Sequence, residues 1–231
     1  MNHIIWNDKD SQDISGLLIC ELPPISKPQM RVKETVIDGV DGSIIEELGY
    51  ESYDKTIAVG VKSGADIDEI IEYFTGNGKI VFSNEPNKYY IARIIKGIEY
   101  ARLLRYRTAK VTFRVQPFKY DNTELEIYNI NSVNDMTVTN KGNYIAKPVI
   151  TIKGTGTVEL SVNGNKVCHY TFPDGEDTVV LDSEKQDAYY ANLLKNRNMV
   201  GDFPILNKGN NVIAWSGTVT RISVTRYSRW L

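Results

Sequence analysis

The sequence predicts a mainly β protein of two domains, residues 1–121 and 122–231, with one α-helix in the first. Three observations predict it. Ala109, Val111, Phe113 and Val115 alternate with Thr108, Lys110, Thr112 and Arg114, the period of a strand with one buried and one wet face. Two turn signals, Asn163-Gly164 and Asp174-Gly175, divide short apolar runs in the second half. Helical spacing is clearest in one place. There Asp66 stands as an N-cap, Glu69 follows three residues later as in a capping box, and Ile67, Ile70, Ile71 and Phe74 share one face.

In chain order, residues 14–22 read as a first strand, stopped by Pro23-Pro24 and Pro28. Residues 31–37 resume as a strand. Gly39, Gly42 and Gly49 then surround residues 43–48, which read as part of a long arm and could also form a helical turn. Residues 53–62 place Ile57, Val59 and Val61 on one face. An arm of about fifteen residues in so small a domain usually has a use, the alternative being a surface loop. After the helix, Gly76-Asn77-Gly78 permit a left-handed ending, and residues 79–83 and 88–95 form strands around a turn at 84–87. Pro117 has no amide donor, so the chain is expected to leave the sheet there. A polar linker is placed at about 122–135. Beyond it, residues 149–152, 158–162, 167–172, 178–181, 211–215 and 218–227 read as strands, with 184–201 less regular. Such spacing without helical periodicity indicates an antiparallel β-sandwich of jelly-roll type.

Charge excludes a basic nucleic-acid module. The formal net charge is -2, with 16 basic against 18 acidic residues through Asp121 and 11 against 11 after it. Cys20 and Cys168, one in each half, exclude a disulfide scaffold, suit assembly in a reducing cytoplasm, and read as small buried hydrophobes. The first eight residues carry no export signal, and no apolar run approaches the ~20 residues of a membrane span, so no membrane partner is expected.

Catalytic material is thin. The two histidines are His3 at an end and His169 in a strand; Cys168 adjoins His169, but strand neighbours point to opposite faces. Zinc spacing and a phosphate-binding glycine loop are both missing, and the acidic pairs Glu46-Glu47 and Asp182 with Glu184 read as solvated. No enzyme activity, cofactor or metal is expected. The rival reading is a carbohydrate-binding module attaching to host cell-wall glycans, with Tyr189 and Tyr190 offering a platform together with Trp215 and Trp230. Against it, Trp215 reads more simply as core and Trp230 as a pin for the C-terminus. Arg102, Arg105, Arg107 and Lys110 form one basic cluster, read as a solvated hairpin edge or an inter-subunit salt-bridge row ahead of any DNA contact.

The run GKIVFSNEPNKYYIARI at 78–94 after a short helix, then VTFRVQPFKY at 111–120, resembles the N-terminal domain of the distal tail protein (Dit) family of long-tailed, siphovirus-type phages or prophages of Gram-positive bacteria. VIDGVDGSIIEELGYESYDKTIAV at 36–59 extends the resemblance upstream, and GDFPILNKGNNVIAWSG at 201–217 with the closing YSRWL carries it to the C-terminus. The resemblance implies a tail-tube-like β-barrel or sandwich followed by a galectin-like sandwich. It further implies a homo-hexameric ring at the distal end of a virion tail, assembled in the host bacterial cytoplasm. Such a ring joins the tail-tube protein to tip, tail-associated lysin or baseplate proteins, and DNA only passes through its channel. By the same resemblance an arm at 34–53 lies against the neighbouring subunit, with Val36, Ile37, Val40, Ile44, Ile45, Leu48, Tyr50 and Tyr53 as its candidate contacts.

Overall fold

The computed structural model describes residues 1–98, 107–122 and 134–231. They fall into two compact units, Met1–Asn122 with Leu231, and Thr123–Trp230.

In the first unit the strands are β1 (Ile4–Trp6), β2 (Lys9–Asp10), β3 (Leu17–Glu21), β4 (Met30–Val36), β5 (Ser43–Tyr50), β6 (Tyr53–Val61), β7 (Asn77–Phe82), β8 (Lys88–Ile94) and β9 (Thr108–Asp121), with helix α1 at Ile67–Tyr73. Seven of them make one antiparallel sheet in the order β2-β1-β7-β8-β9-β6-β3, while β4 and β5 pair only with each other. The alternation read from sequence decides what is buried. Ile57 and Val59 of β6 face Val111, Phe113 and Val115 of β9 in one core, joined by Ile80 and Phe82 of β7 and by Ile70 and Phe74 of the helix. Phe113 sits at its centre, edge-on to Trp6 at 5.3 Å and to Phe82 at 6.2 Å. The Asp66 carboxylate accepts from the backbone N–H of Asp68 and Glu69, which fixes where α1 starts. Glu69 instead pairs with Lys9, at 3.5 Å, and Tyr73 is buried on the helix's inner face where Ile71 is only half-buried.

Four readings of this unit are corrected. Residues 43–48 are strand, not a helical turn, because β-branched Ile44 and Ile45 lie in ladder register with Thr35 and Glu34. His3, read as lying at an end, is half-buried beside β1, which buries Ile4 and Trp6 against β7. The chain does not leave the sheet at Pro117: Lys119, Tyr120 and Asp121 pair again with Tyr90, Tyr89 and Lys88. The register shifts between Tyr90 and Ala92, whose partners are Lys119 and Val115, so Pro117 falls in a bulge where no ladder bond is asked of it. Cys20 is exposed, since Leu17 and Ile19 take the buried positions of β3 and strand alternation puts Cys20 on the outer face with Leu18.

The second unit holds β10 (Asp135–Asn140), β11 (Val149–Val162), β12 (Asn165–Thr171), β13 (Thr178–Asp182), β14 (Asp187–Tyr190), β15 (Leu193–Leu194), β16 (Met199–Gly201) and β17 (Gly209–Thr225). Their order is β10-β17-β11-β13-β14-β15, with β12 pairing β11 and β16. Asn163 and Gly164, at φ 54° and 80°, make the tight turn from β11 to β12. Segments expected as separate strands are continuous: 149–152 and 158–162 are both β11, and 211–215 and 218–225 are both β17. Register breaks lie between, near Gly154 and Gly217. A Cβ at Gly154 would stand 2.3 Å from the Thr218 carbonyl oxygen and one at Gly217 2.3 Å from that of Thr157, so the paired backbones close on each other only because both are glycine. Beyond the break β11 changes partner, from β13 to β12, and in that way one strand serves two layers. Ile150, Ile152, Leu160, Tyr170, Trp215, Ile222 and Val224 fill the core between them. Of the expected linker, residues 123–133 lie outside the described residues, and Asp135 already belongs to β10.

Candidate functional site

The arm is an antiparallel hairpin of β4 and β5 that joins no other strand among the described residues, so its two outer edges present backbone groups without ladder partners there. Alternating β-branched residues make the strands, and Gly39 and Gly42, at φ 81° and 88°, make the tip. At its root Met30 pairs with Tyr50 and Val32 with Glu47, leaving Arg31 opposite both Leu48 and Gly49 in a bulge. Gly49 is at φ 96°, and the Arg31 guanidinium passes beside it to donate to the Leu48 carbonyl at 3.0 Å.

All residues from 31 to 49 are exposed. Val36 is 69% exposed, Ile45 62%, Val40 60% and Ile44 59%, with Leu48 and Ile37 near half. Cross-strand partners share a face, so Val32, Val36 and Ile45 lie on one side of the hairpin and Ile44 and Leu48 on the other. Both sides are therefore apolar and wet, an arrangement that a two-stranded ribbon does not sustain by itself. Six of the eight residues singled out in the sequence are exposed on this ribbon. The other two do not project. Tyr50 is half-buried at the root, edge-on to Phe118 at 5.9 Å, and Tyr53 begins β6, packing on the core and donating to the Ser26 carbonyl at 3.4 Å. Val32, exposed like its neighbours, belongs with the six and was not among them.

Below the root lies a buried polar cluster that the sequence reading missed. Lys119 and Glu85 are paired at 2.6 Å with both side chains under a tenth exposed, and Tyr90 donates to the other Glu85 oxygen at 2.5 Å. Lys55, 2% exposed, lies over the Tyr90 ring at 4.9 Å and donates to the Pro24 carbonyl at 2.9 Å. Asn84 donates to the adjoining Pro23 carbonyl, so the cluster ties down the segment that leads into the arm. Burial pushes the Glu85 carboxyl up, but Lys119, Tyr90 and Lys55 together hold it below the usual carboxylate range. Burial lowers the Lys55 ammonium to about 8, against the opposing pull of Glu85. A signal was available: Lys55 precedes Ile57, Val59 and Val61 in phase with their buried face.

The other candidates stay apart. Tyr189 and Tyr190 are neighbours on β14 and face opposite sides; the Lys185 ammonium lies 5.5 Å from the centre of the Tyr189 ring, and only Tyr190 is well exposed. Trp215 is 6% exposed in the core and cannot join them in a platform. Arg107 and Lys110 are exposed at the start of β9, while Arg102 and Arg105 lie outside the described residues. Burial pushes the Cys168 thiol up to about 11, away from any nucleophilic use at neutral pH. Among the described residues no group of three or more metal-ligating side chains occurs, and no helix is long and apolar enough to cross a membrane.

Neither a protein-family model nor a curated protein matches the sequence. Among solved structures the chain is similar to SPP1 Dit (gp 19.1), described as a paradigm of the hub adsorption apparatus in Gram-positive infecting phages. The TM-score is 0.71 at 16% identity over the whole of both chains. Two structures of the phage P2 baseplate in its activated conformation, with Ca and with Sr, align at TM-score 0.47 and 9% identity, over 98% and 97% of each chain. The fold of both units, in one continuous match, is thus that of a Dit protein.

Proposed function

We propose that this chain is an architectural subunit of a phage tail tip, a hub that closes into a ring through the β4–β5 hairpin. The observation that carries the reading is the hairpin itself, with apolar side chains on both faces and two open edges, on a chain whose whole length has the Dit fold. A surface of this kind is made to be covered. Burying each of Val36, Ile37, Val40, Ile44, Ile45 and Leu48 contributes roughly 1.5–3 kcal/mol before ordering costs are subtracted. A hairpin projecting from one place and seated at another gives a head-to-tail contact, which closes into a ring when the rotation allows. On this reading the ring has six subunits, located in the virion tail and assembled in the host cytoplasm. Tail-tube protein docks on one side of the ring, with tip, lysin or baseplate proteins on the other. Its channel needs no sequence-reading surface and no cofactor, and the near-neutral charge lets DNA pass without holding it. Nothing in this role asks for catalysis.

Light scattering coupled to size exclusion, across concentration, tests the reading. Six copies or a multiple are expected from the full chain, and folded monomers from a variant lacking residues 39–49. Hexamers that persist without the hairpin would remove it from the interface, and a full chain that stays monomeric at every concentration would overturn the ring.

A further inference from the structure

At the hairpin's root is an open cleft of about 510 Å³ lined by Arg31, Tyr50, Glu51, Ser52, Arg114 and Gln116. Its charge is mainly positive. The Arg114 guanidinium donates to the Ser52 carbonyl and pairs with Asp54 at 2.9 Å, while Lys96 reaches the same Asp54 at 2.7 Å. Lys27 lies 5.9 Å from the centre of the Tyr50 ring. Four cations thus surround the cleft against two carboxylates, Glu51 and Asp54. Arg31 donates to a backbone carbonyl and has no carboxylate within ion-pairing distance among the described residues. At the other end of the same hairpin the opposite holds. Asp38 and Asp41 stand on the exposed glycine turn, also without a cationic partner among the described residues.

The two ends cannot meet within one chain. The eight residues of β5 span about 26 Å at ~3.3 Å per residue, and the paired ladder keeps the ribbon extended. We propose that the tip of one copy's hairpin enters the root cleft of the next, where Asp38 and Asp41 meet Arg31 and Arg114. This rests on the ring reading and specifies it. Apolar faces give the contact its strength but slide easily in register, whereas opposite charges at the two ends of the ribbon fix how far each hairpin advances.

The test uses the full chain with charges reversed at one end or the other, Arg31→Glu in one variant and Asp38→Lys with Asp41→Lys in a second. Each alone sets like charges together, so self-association measured by sedimentation velocity should weaken by about tenfold or more. An equimolar mixture of the two places every tip against an opposite cleft, and association should return, as it should in one chain carrying all three changes. Recovery on mixing cannot come from a misfolded variant, which keeps the test clear of simple damage to the hairpin. If the variants associate like the parent, or if mixing restores nothing, the tip does not seat in the cleft. Loss of assembly on deleting residues 39–49 beside an unresponsive charge series would sink this inference and leave the ring standing. A parent chain that never self-associates would sink both.

Discussion

Two antiparallel pairs in the first unit, β4–β5 and β6–β9, are written in much the same residues and meet opposite fates. Ile57, Val111 and Phe113 are completely buried, whereas Ile44, Ile45 and Val36 are each about 60% exposed or more. Strand propensity and ladder register therefore do not decide burial. Neighbours do: β6 and β9 sit within the main sheet under a helix, and among the described residues nothing covers either face of β4–β5. An unburied pair built like a core pair is the feature on which the proposed ring contact rests.

Substitutions can break that comparison, and the largest effect is expected where polarity is buried. Lys119→Met leaves Glu85 without its partner in the cluster and should cost about 3–5 kcal/mol in urea or thermal unfolding of the first unit. Ile57→Ala should cost about 2–5 kcal/mol in the same measurement. Ile45→Ala, chemically identical, should stay within about 0.5 kcal/mol for the monomer and instead weaken self-association. Equal destabilisation by the two would erase the distinction between the pairs.

The pH dependence sharpens it further. Glu85 has a lowered folded pKa, so its stabilisation is complete above the unfolded value near 4.5 and is lost as pH falls through the folded value. Lys55 has a folded value of about 8 against 10.5 unfolded, so between those two the unfolded chain binds more protons and stability should rise with pH. Denaturation midpoints measured across pH should show both limbs, and Lys55→Met should flatten the alkaline one. Gly164→Ala in the second unit should cost about 1–2 kcal/mol, from a φ of 80° that alanine resists, and so fall between Ile57→Ala and Ile45→Ala.

What the sequence could disclose follows from range. The cap at Asp66, the alternation of β9 and the Asn163-Gly164 turn are local, and each reads correctly. Pro117 misled because its tolerance depends on a bulge set by Tyr90 and Ala92, more than twenty residues away. Cys20 misled although its exposure is local, since it falls out of phase with the buried Leu17 and Ile19. Gly154 and Gly217 explain why two pairs of expected strands are single ones, and the sequence does not show that they must lie against Thr218 and Thr157. At the site, the apolar excess of residues 36–48 was legible, while Lys55, Glu85 and Lys119 come together only in three dimensions.

The hairpin also sets an order of events during synthesis. Its closing pair, Val36 with Ser43, is seven residues apart, whereas β6 already has β3 to pair with but gains β9 only when Tyr53 meets Val115. A ribbon can zip within microseconds of leaving the ribosome, but at about 5–20 residues per second the strand that completes the body arrives several seconds later. The nascent chain thus displays its exposed apolar ribbon before the body beneath it exists. On a polysome, neighbouring chains at the same stage are already close, so if the ribbon is the proposed subunit contact, chains from one message meet through it early and need a chaperone to keep them apart.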